Sequence, residues 1–137
     1  MKPDVGIYKR VAAVLKTDAA ITAFPVHADN IRPSDDLEQA KTGALIHFTW
    51  TDYSFDTKAR RATGVLAVAV ESEVSKPKAQ DLAALVRLAL TAKALTGNRA
   101  DAIVGLFKER AGTTDAGESP SGRFQVLLSY DVRAVET

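Results

Sequence analysis

The chain contains no cysteine. A disulfide framework and thiolate chemistry, redox or metal-binding, are therefore both excluded, which suits assembly in a reducing cytoplasm. It lacks long hydrophobic runs as well. The longest, residues 65–70, is far short of the roughly 20 residues that a spanning helix needs. Lys2 and Asp4 are followed by no apolar h-region, so no signal peptide is expected. Charge of one sign is also missing, because 18 Lys and Arg oppose 17 Asp and Glu for a formal charge of +1. Without a global positive field, nucleic-acid binding driven by net charge is not supported.

What is present describes an ordinary folded protein. Hydrophobic residues make up 46% and charged residues 26% of 137 positions, a composition outside the disordered range. At this length one core buries roughly two thirds of the surface an unfolded chain exposes. A single domain over residues 1–137 is expected, with no internal repeat.

Asp4 is placed to cap a helix whose apolar positions Ile7, Val11, Val14 and Leu15 recur at three- and four-residue spacing. Asp18 reads as a second cap, opening a short turn over residues 19–24 that Pro25 stops. Asn30-Ile31-Arg32-Pro33 reads as a short edge strand, since Pro33 cannot donate to a ladder. Residues 34–43 are polar and acidic without a period, which predicts a loop.

Two strands follow. Over residues 44–52, Ile46, Phe48 and Trp50 alternate with Leu45, His47, Thr49 and Thr51. Over residues 62–71, Leu66, Val68 and Val70 face one way and Val65, Ala67 and Ala69 the other. The intervening residues 53–61 exceed a tight turn and are expected to project from the sheet as a loop. Ser75 and Pro77 then signal the start of the main helix, carrying Leu82, Leu85, Val86, Ala89 and Leu90 and closing near Gly97. Residues 100–110 fit a strand better than a helix, because Gly105 weakens a helix by about 1 kcal/mol. Residues 112–122 hold three Gly, one Pro and several Ser and Thr, predicting a flexible loop. In the last strand, Phe124, Val126, Leu128, Tyr130 and Val132 alternate with polar residues. Helices on one face of a four- to five-stranded, mostly antiparallel mixed sheet make this α+β, with two main helices covering the sheet.

No catalytic set emerges. His27 and His47 lack further ligands at helical or hairpin spacing, so both read as structural or surface residues, and no metal or cofactor is expected. Asp35, Asp36 and Glu38 share one exposed environment, whereas an acid/base pair needs two contrasting ones. Ser119-Pro120-Ser121-Gly122 lacks the frame of a nucleophile elbow, and the glycines lack that of a phosphate loop. The cluster of interest is Lys58, Arg60 and Arg61 with Tyr53 and Phe55 nearby. Such an aromatic-basic group is either a contact surface or a solvated hairpin tip bearing protective charges, and the residues alone leave the two even.

Taken in order, these segments resemble the tail-terminator, or tail-completion, proteins of siphophages and gene-transfer particles. The likeness runs through the opening helix and its continuation (residues 8–21), the strand Asn30-Ile31-Arg32-Pro33 and the first long strand around Leu45-Ile46-His47-Phe48-Thr49. It continues through the strand-helix unit (residues 65–71 into 79–90) and the closing strand (residues 122–133). The resemblance implies a non-enzymatic virion protein without cofactors. It would assemble in the host cytoplasm as a ring, a hexamer being the expected form, at the head-proximal end of the tail. There it would stop tail-tube polymerisation and dock the head connector or stopper protein, with DNA passing through unread. Lys58, Arg60 and Arg61, with Tyr53 and Phe55, would be contacts to a neighbouring subunit, the tube or passing DNA. Other readings are another neck or minor tail component, a small ligand-binding or enzymatic α+β domain, and a nucleic-acid-binding module using the basic loop.

Overall fold

The computed structural model describes residues 2–24, 26–110, 114–118 and 122–137. Helices α1 (Pro3–Thr17) and α2 (Ala19–Ala23) come first, followed by a 3-10 turn (Ala28–Asn30), strand β1 (Ile31–Pro33) and a 3-10 segment (Ser34–Gln39). The hairpin β2 (Leu45–Asp56) and β3 (Arg61–Ser72) leads into α3 (Lys76–Ala89) and α4 (Ala92–Leu95). Strands β4 (Gly97–Asn98), β5 (Ile103–Glu109), β6 (Thr114–Glu118) and β7 (Phe124–Val135) complete the order. All seven strands join one sheet in the order β1-β2-β3-β7-β5-β4, with β6 also on β7. Among the described residues, only the β1–β2 pair is parallel. The fold is α+β as expected, with more strands than the four to five read from sequence.

One sheet face is covered. Ile7, Val11 and Leu15 of α1 and Leu82, Val86 and Ala89 of α3 pack on Phe48, Leu66, Val68, Val70, Leu128 and Tyr130. These helical positions repeat at three and four residues, so each helix turns one apolar stripe to the sheet. Full burial of each Leu, Ile or Val contributes roughly 1.5–3 kcal/mol. Asp18 caps α2 by accepting from Ile21 N–H at 3.0 Å, and Ser75 caps α3 by accepting from Lys78 N–H at 3.3 Å. Both caps are those the sequence signalled.

Several boundaries differ. Pro3, not a residue after Asp4, opens α1: its fixed φ and missing N–H suit the first helical position. Lys2 is the cap residue, and Asp4 sits in the first turn, where its charge favours the helix dipole. Residues 34–39 are not loop but 3-10 turns kinked at Asp36, anchored by Ser34 on the His47 ring and by Asp36 on Arg32. Helix α3 ends at Ala89, not near Gly97, because Thr91 caps a new turn by accepting from Ala94 N–H. Gly97, at φ +116, opens β4 instead. Residues 103–109 are strand, as expected. Within 112–122, Thr114–Glu118 is strand rather than loop, because β7 supplies a pairing edge. Pro25, residues 111–113 and residues 119–121 lie outside the described residues.

The largest correction concerns residues 53–61. They do not form a projecting loop: β2 runs to Asp56 and β3 begins at Arg61, leaving a turn of residues 57–60. Strand β7 accompanies β3 to the tip, where Arg61 pairs with Val135. Thus Ser54 and Asp56, which read as loop residues, continue the outward positions begun at Asp52, in a strand whose inward positions are Tyr53 and Phe55.

Candidate assembly surface

The Asp56 carboxylate closes the hairpin by accepting from Lys58 N–H at 2.9 Å and Ala59 N–H at 3.2 Å. This side chain–backbone bonding is what lets Asp hold a turn. Arg60 completes it at φ 54, a left-handed conformation that carries a cost for any residue with a Cβ. Lys58, Arg60 and Arg61 are all exposed at one end of the sheet. Arg60 lies 3.5 Å from Glu136, whereas neither Lys58 nor Arg61 has an ion-pair partner among the described residues.

The two aromatics lie on β2 before the turn, toward the start of α1. Tyr53 packs on Trp50, centroids 5.0 Å apart, and Phe55 lies 4.8 Å from the Lys2 ammonium. Burial raises the Tyr53 pKa, with the Asp4 and Glu136 carboxylates adding to it and a backbone hydrogen bond with Asp4 opposing it. The five residues predicted as one group are therefore divided between the turn and the strand that leads into it, with Glu136 between them: it lies 3.5 Å from Arg60 and 4.0 Å from the Lys2 ammonium that sits over Phe55. The turn brings Lys58, Arg60 and Arg61 together, while Tyr53 and Phe55 join the α1 start.

A β-bulge at Thr51 shifts the register between Trp50 and Asp52. It requires Gly64, since a Cβ there would stand 2.2 Å from the Asp52 carbonyl oxygen and 2.9 Å from the Trp50 ring. Past the bulge, the uncovered face forms a polar hollow of about 390 Å³ lined by Asp52, Ser54, Thr63, Arg110, Asp131 and Arg133 among others. Arg110 pairs with Asp131 at 2.9 Å, and Arg133 is exposed beside them. A second, more apolar hollow of about 580 Å³ opens between α2 and the start of α3, around Ala20, Phe24, Ala44, Val74 and Lys78.

Sequence reading missed the buried polar groups. Ser34 Oγ lies 2.8 Å from His47 Nδ1, His47 Nε2 lies 2.5 Å from Glu71 Oε2, and Gln125 Nε2 donates to the same oxygen at 3.1 Å. A hydroxyl, an imidazole and a carboxylate in line can move a proton. Neither hollow is lined by any of the three. Their linkage ties the 3-10 segment to the sheet. His47 and Glu71 are 24 residues apart, so only the β2–β3 register reveals the pair. Among the described residues no group of three or more His, Cys, Asp or Glu could hold a metal ion, and no helix is long and apolar enough to cross a membrane.

No family model matches the chain, and no curated protein matches it. Among solved structures it is similar to a chain described as "Virion of native gene transfer agent (GTA) particle", with a TM-score of 0.68 at 17% identity. The likeness covers 96% of this chain and 98% of that one. At that identity it shows a shared fold over nearly the full length of both.

Proposed function

We propose that this chain is a non-enzymatic structural protein of a phage-type particle, acting as the ring that ends the tail and joins it to the head. The observation that carries this reading is the fold shared, end to end, with a chain of a gene transfer agent virion. Near-complete coverage on both sides supports reading the whole chain in that one role. Near-zero net charge supports it too, since copies packed side by side repel little at a formal +1 each.

In this role the ring, a hexamer, caps the last tier of tail-tube protein and offers its opposite surface to the head connector or stopper. DNA passes through the hole without being read. Lys58, Arg60 and Arg61 touch a neighbouring subunit, the tube or the DNA, with Tyr53 and Phe55 supporting the hairpin that carries them. The particle's neck is then where the protein works.

The test is purification of the chain, alone and with tail-tube protein, followed by light-scattering mass and negative-stain imaging. Closed rings wide enough for duplex DNA, seated at one end of otherwise unbounded tubes, are the expected outcome. Tubes that grow to the same lengths with and without the chain would overturn the terminator role.

A further inference from the structure

The two sides of the sheet end in different unfinished edges. Strand β1 pairs only with Ile46, His47 and Phe48 of β2, and β4 pairs only with Ile103 and Val104 of β5. Among the described residues, no strand covers the outer edge of β2 from Thr49 to Asp56 or that of β5 from Leu106 to Glu109. The Trp50 N–H is taken by the Tyr8 hydroxyl at 3.1 Å, so the free part of β2 begins beyond the bulge.

The two free segments occupy the same level of the sheet. Asp52 pairs with Val65, Val65 with Asp131, and Asp131 with Lys108. One step further, Ser54 pairs with Thr63, Thr63 with Arg133, and Arg133 with Leu106. Asp52 and Ser54 therefore stand on one edge directly across from Lys108 and Leu106 on the other, all facing the side that the helices leave uncovered. Strands β2 and β5 run in opposite directions, because three antiparallel pairings separate them. A second copy placed alongside by rotation about an axis parallel to the strands thus meets β2 with an antiparallel β5. Asp52 of one copy then faces Lys108 of the next. Neither has an ion-pair partner within its own chain among the described residues, and opposite charges set face to face favour that register.

Resting on the ring reading above, we infer that copies of this chain join by sheet extension, β2 of one to β5 of the next, with Asp52 against Lys108 and Ser54 against Leu106. The occupant of each edge is a second copy of the same chain. Because the edges differ, the contact is head-to-tail and closes only as a ring. Backbone hydrogen bonds supply the attachment, and the charge pair fixes the register. The competing account is that Asp52 and Asp56 are solvated charges that protect an exposed edge from pairing at all.

The absence of native cysteine makes the test clean. Within one chain, Ser54 and Leu106 lie three strand spacings apart, about 14 Å, beyond the roughly 7 Å that a disulfide spans between Cα atoms. Any S54C–L106C bond must therefore join two copies. Mixing S54C with L106C chains and oxidising should give one-to-one dimers. The S54C/L106C double variant should give a ladder ending at the ring's subunit count. D52K should weaken association roughly tenfold, and K108D in the same chain should restore it. Rings whose edge cysteines stay reduced, while a pair at the exposed Val74 and Leu88 (V74C with L88C) crosslinks, would overturn the sheet-edge contact but keep the ring. A chain that remains monomeric in the presence of tube protein would overturn both.

Discussion

Arg10 is a fully charged side chain with no solvent contact. It is sustained because each of its five N–H groups has an acceptor: Asp101 twice, and the carbonyls of Leu95, Gly97 and Ala102. It thereby bolts α1 to the segment between α4 and β5, a link no local pattern announces, since in sequence it is one basic residue in a helix. Tyr130 is the opposite case. Its hydroxyl is buried and has no hydrogen-bond partner among the described residues. Its pKa is pushed well above the ordinary tyrosine value, first by burial and then by the Glu109 carboxylate, with Arg87 opposing. A raised folded pKa means that the neutral phenol is favoured in the native state. Its contribution is therefore complete below the unfolded value of about 10 and is lost as pH climbs above it. Tyr130→Phe removes both the orphan hydroxyl and this dependence. Urea unfolding at about pH 8 and about pH 11 should show the variant within about 1 kcal/mol of the parent at the lower pH. At the higher pH the variant should lose less stability than the parent, and equal losses would refute the assignment.

At the scale of elements, the β2–β3 hairpin depends on one residue without a side chain. Gly64 lies opposite Tyr53, where the bulge brings the Asp52 carbonyl and the Trp50 ring against its Cα. Gly64→Ala forces backbone or the indole to move, an overpacking cost of typically 1–3 kcal/mol. The melting temperature should fall accordingly, with near-ultraviolet circular dichroism of the Trp50 environment altered. A variant as stable as the parent would mean that the bulge relaxes freely. The hairpin also shows what sequence pattern could and could not convey. Amphipathic stripes, the Asp18 and Ser75 caps and the alternation of β7 were legible because each is a local signal with a fixed period. The strand character of residues 53–56 was not, since Ser54 and Asp56 resemble turn residues until β3 is seen pairing with them and β7 running beside β3 to the tip. Strand β6 is hidden for the same reason: its residues Thr114 to Glu118 acquire a partner only through β7. The Ser34–His47–Glu71–Gln125 linkage needed the register of three strands, and the placing of Tyr53 and Phe55 toward the start of α1 needed the pleat.

For the whole molecule, the question is whether the basic turn serves assembly or only keeps the hairpin soluble. The two roles predict different phenotypes for the same variant. Lys58 and Arg61 have no ion-pair partner among the described residues, and the exposed Arg60 has only the half-buried Glu136, a surface pair of the kind worth between nothing and about 1 kcal/mol. Replacing all three with Ala therefore changes folding little, because the turn is held by Asp56 and by backbone bonds from Lys58 and Ala59. Relief of the left-handed strain would need glycine, so alanine at position 60 does not confuse the comparison. The formal charge falls from +1 to −2, three cations lost from the +1 of the parent. If the turn meets the tube, the connector or DNA, particles carrying the triple variant should hold normal heads and normal tails that fail to join. The purified chain should keep its melting temperature within a few degrees, as surface substitutions usually do. Unjoined heads counted by electron microscopy, set beside that melting curve, separate an assembly contact from a folding defect. Normal yield of joined particles would assign the three cations to solubility alone and leave the sheet edges to carry the contacts between copies.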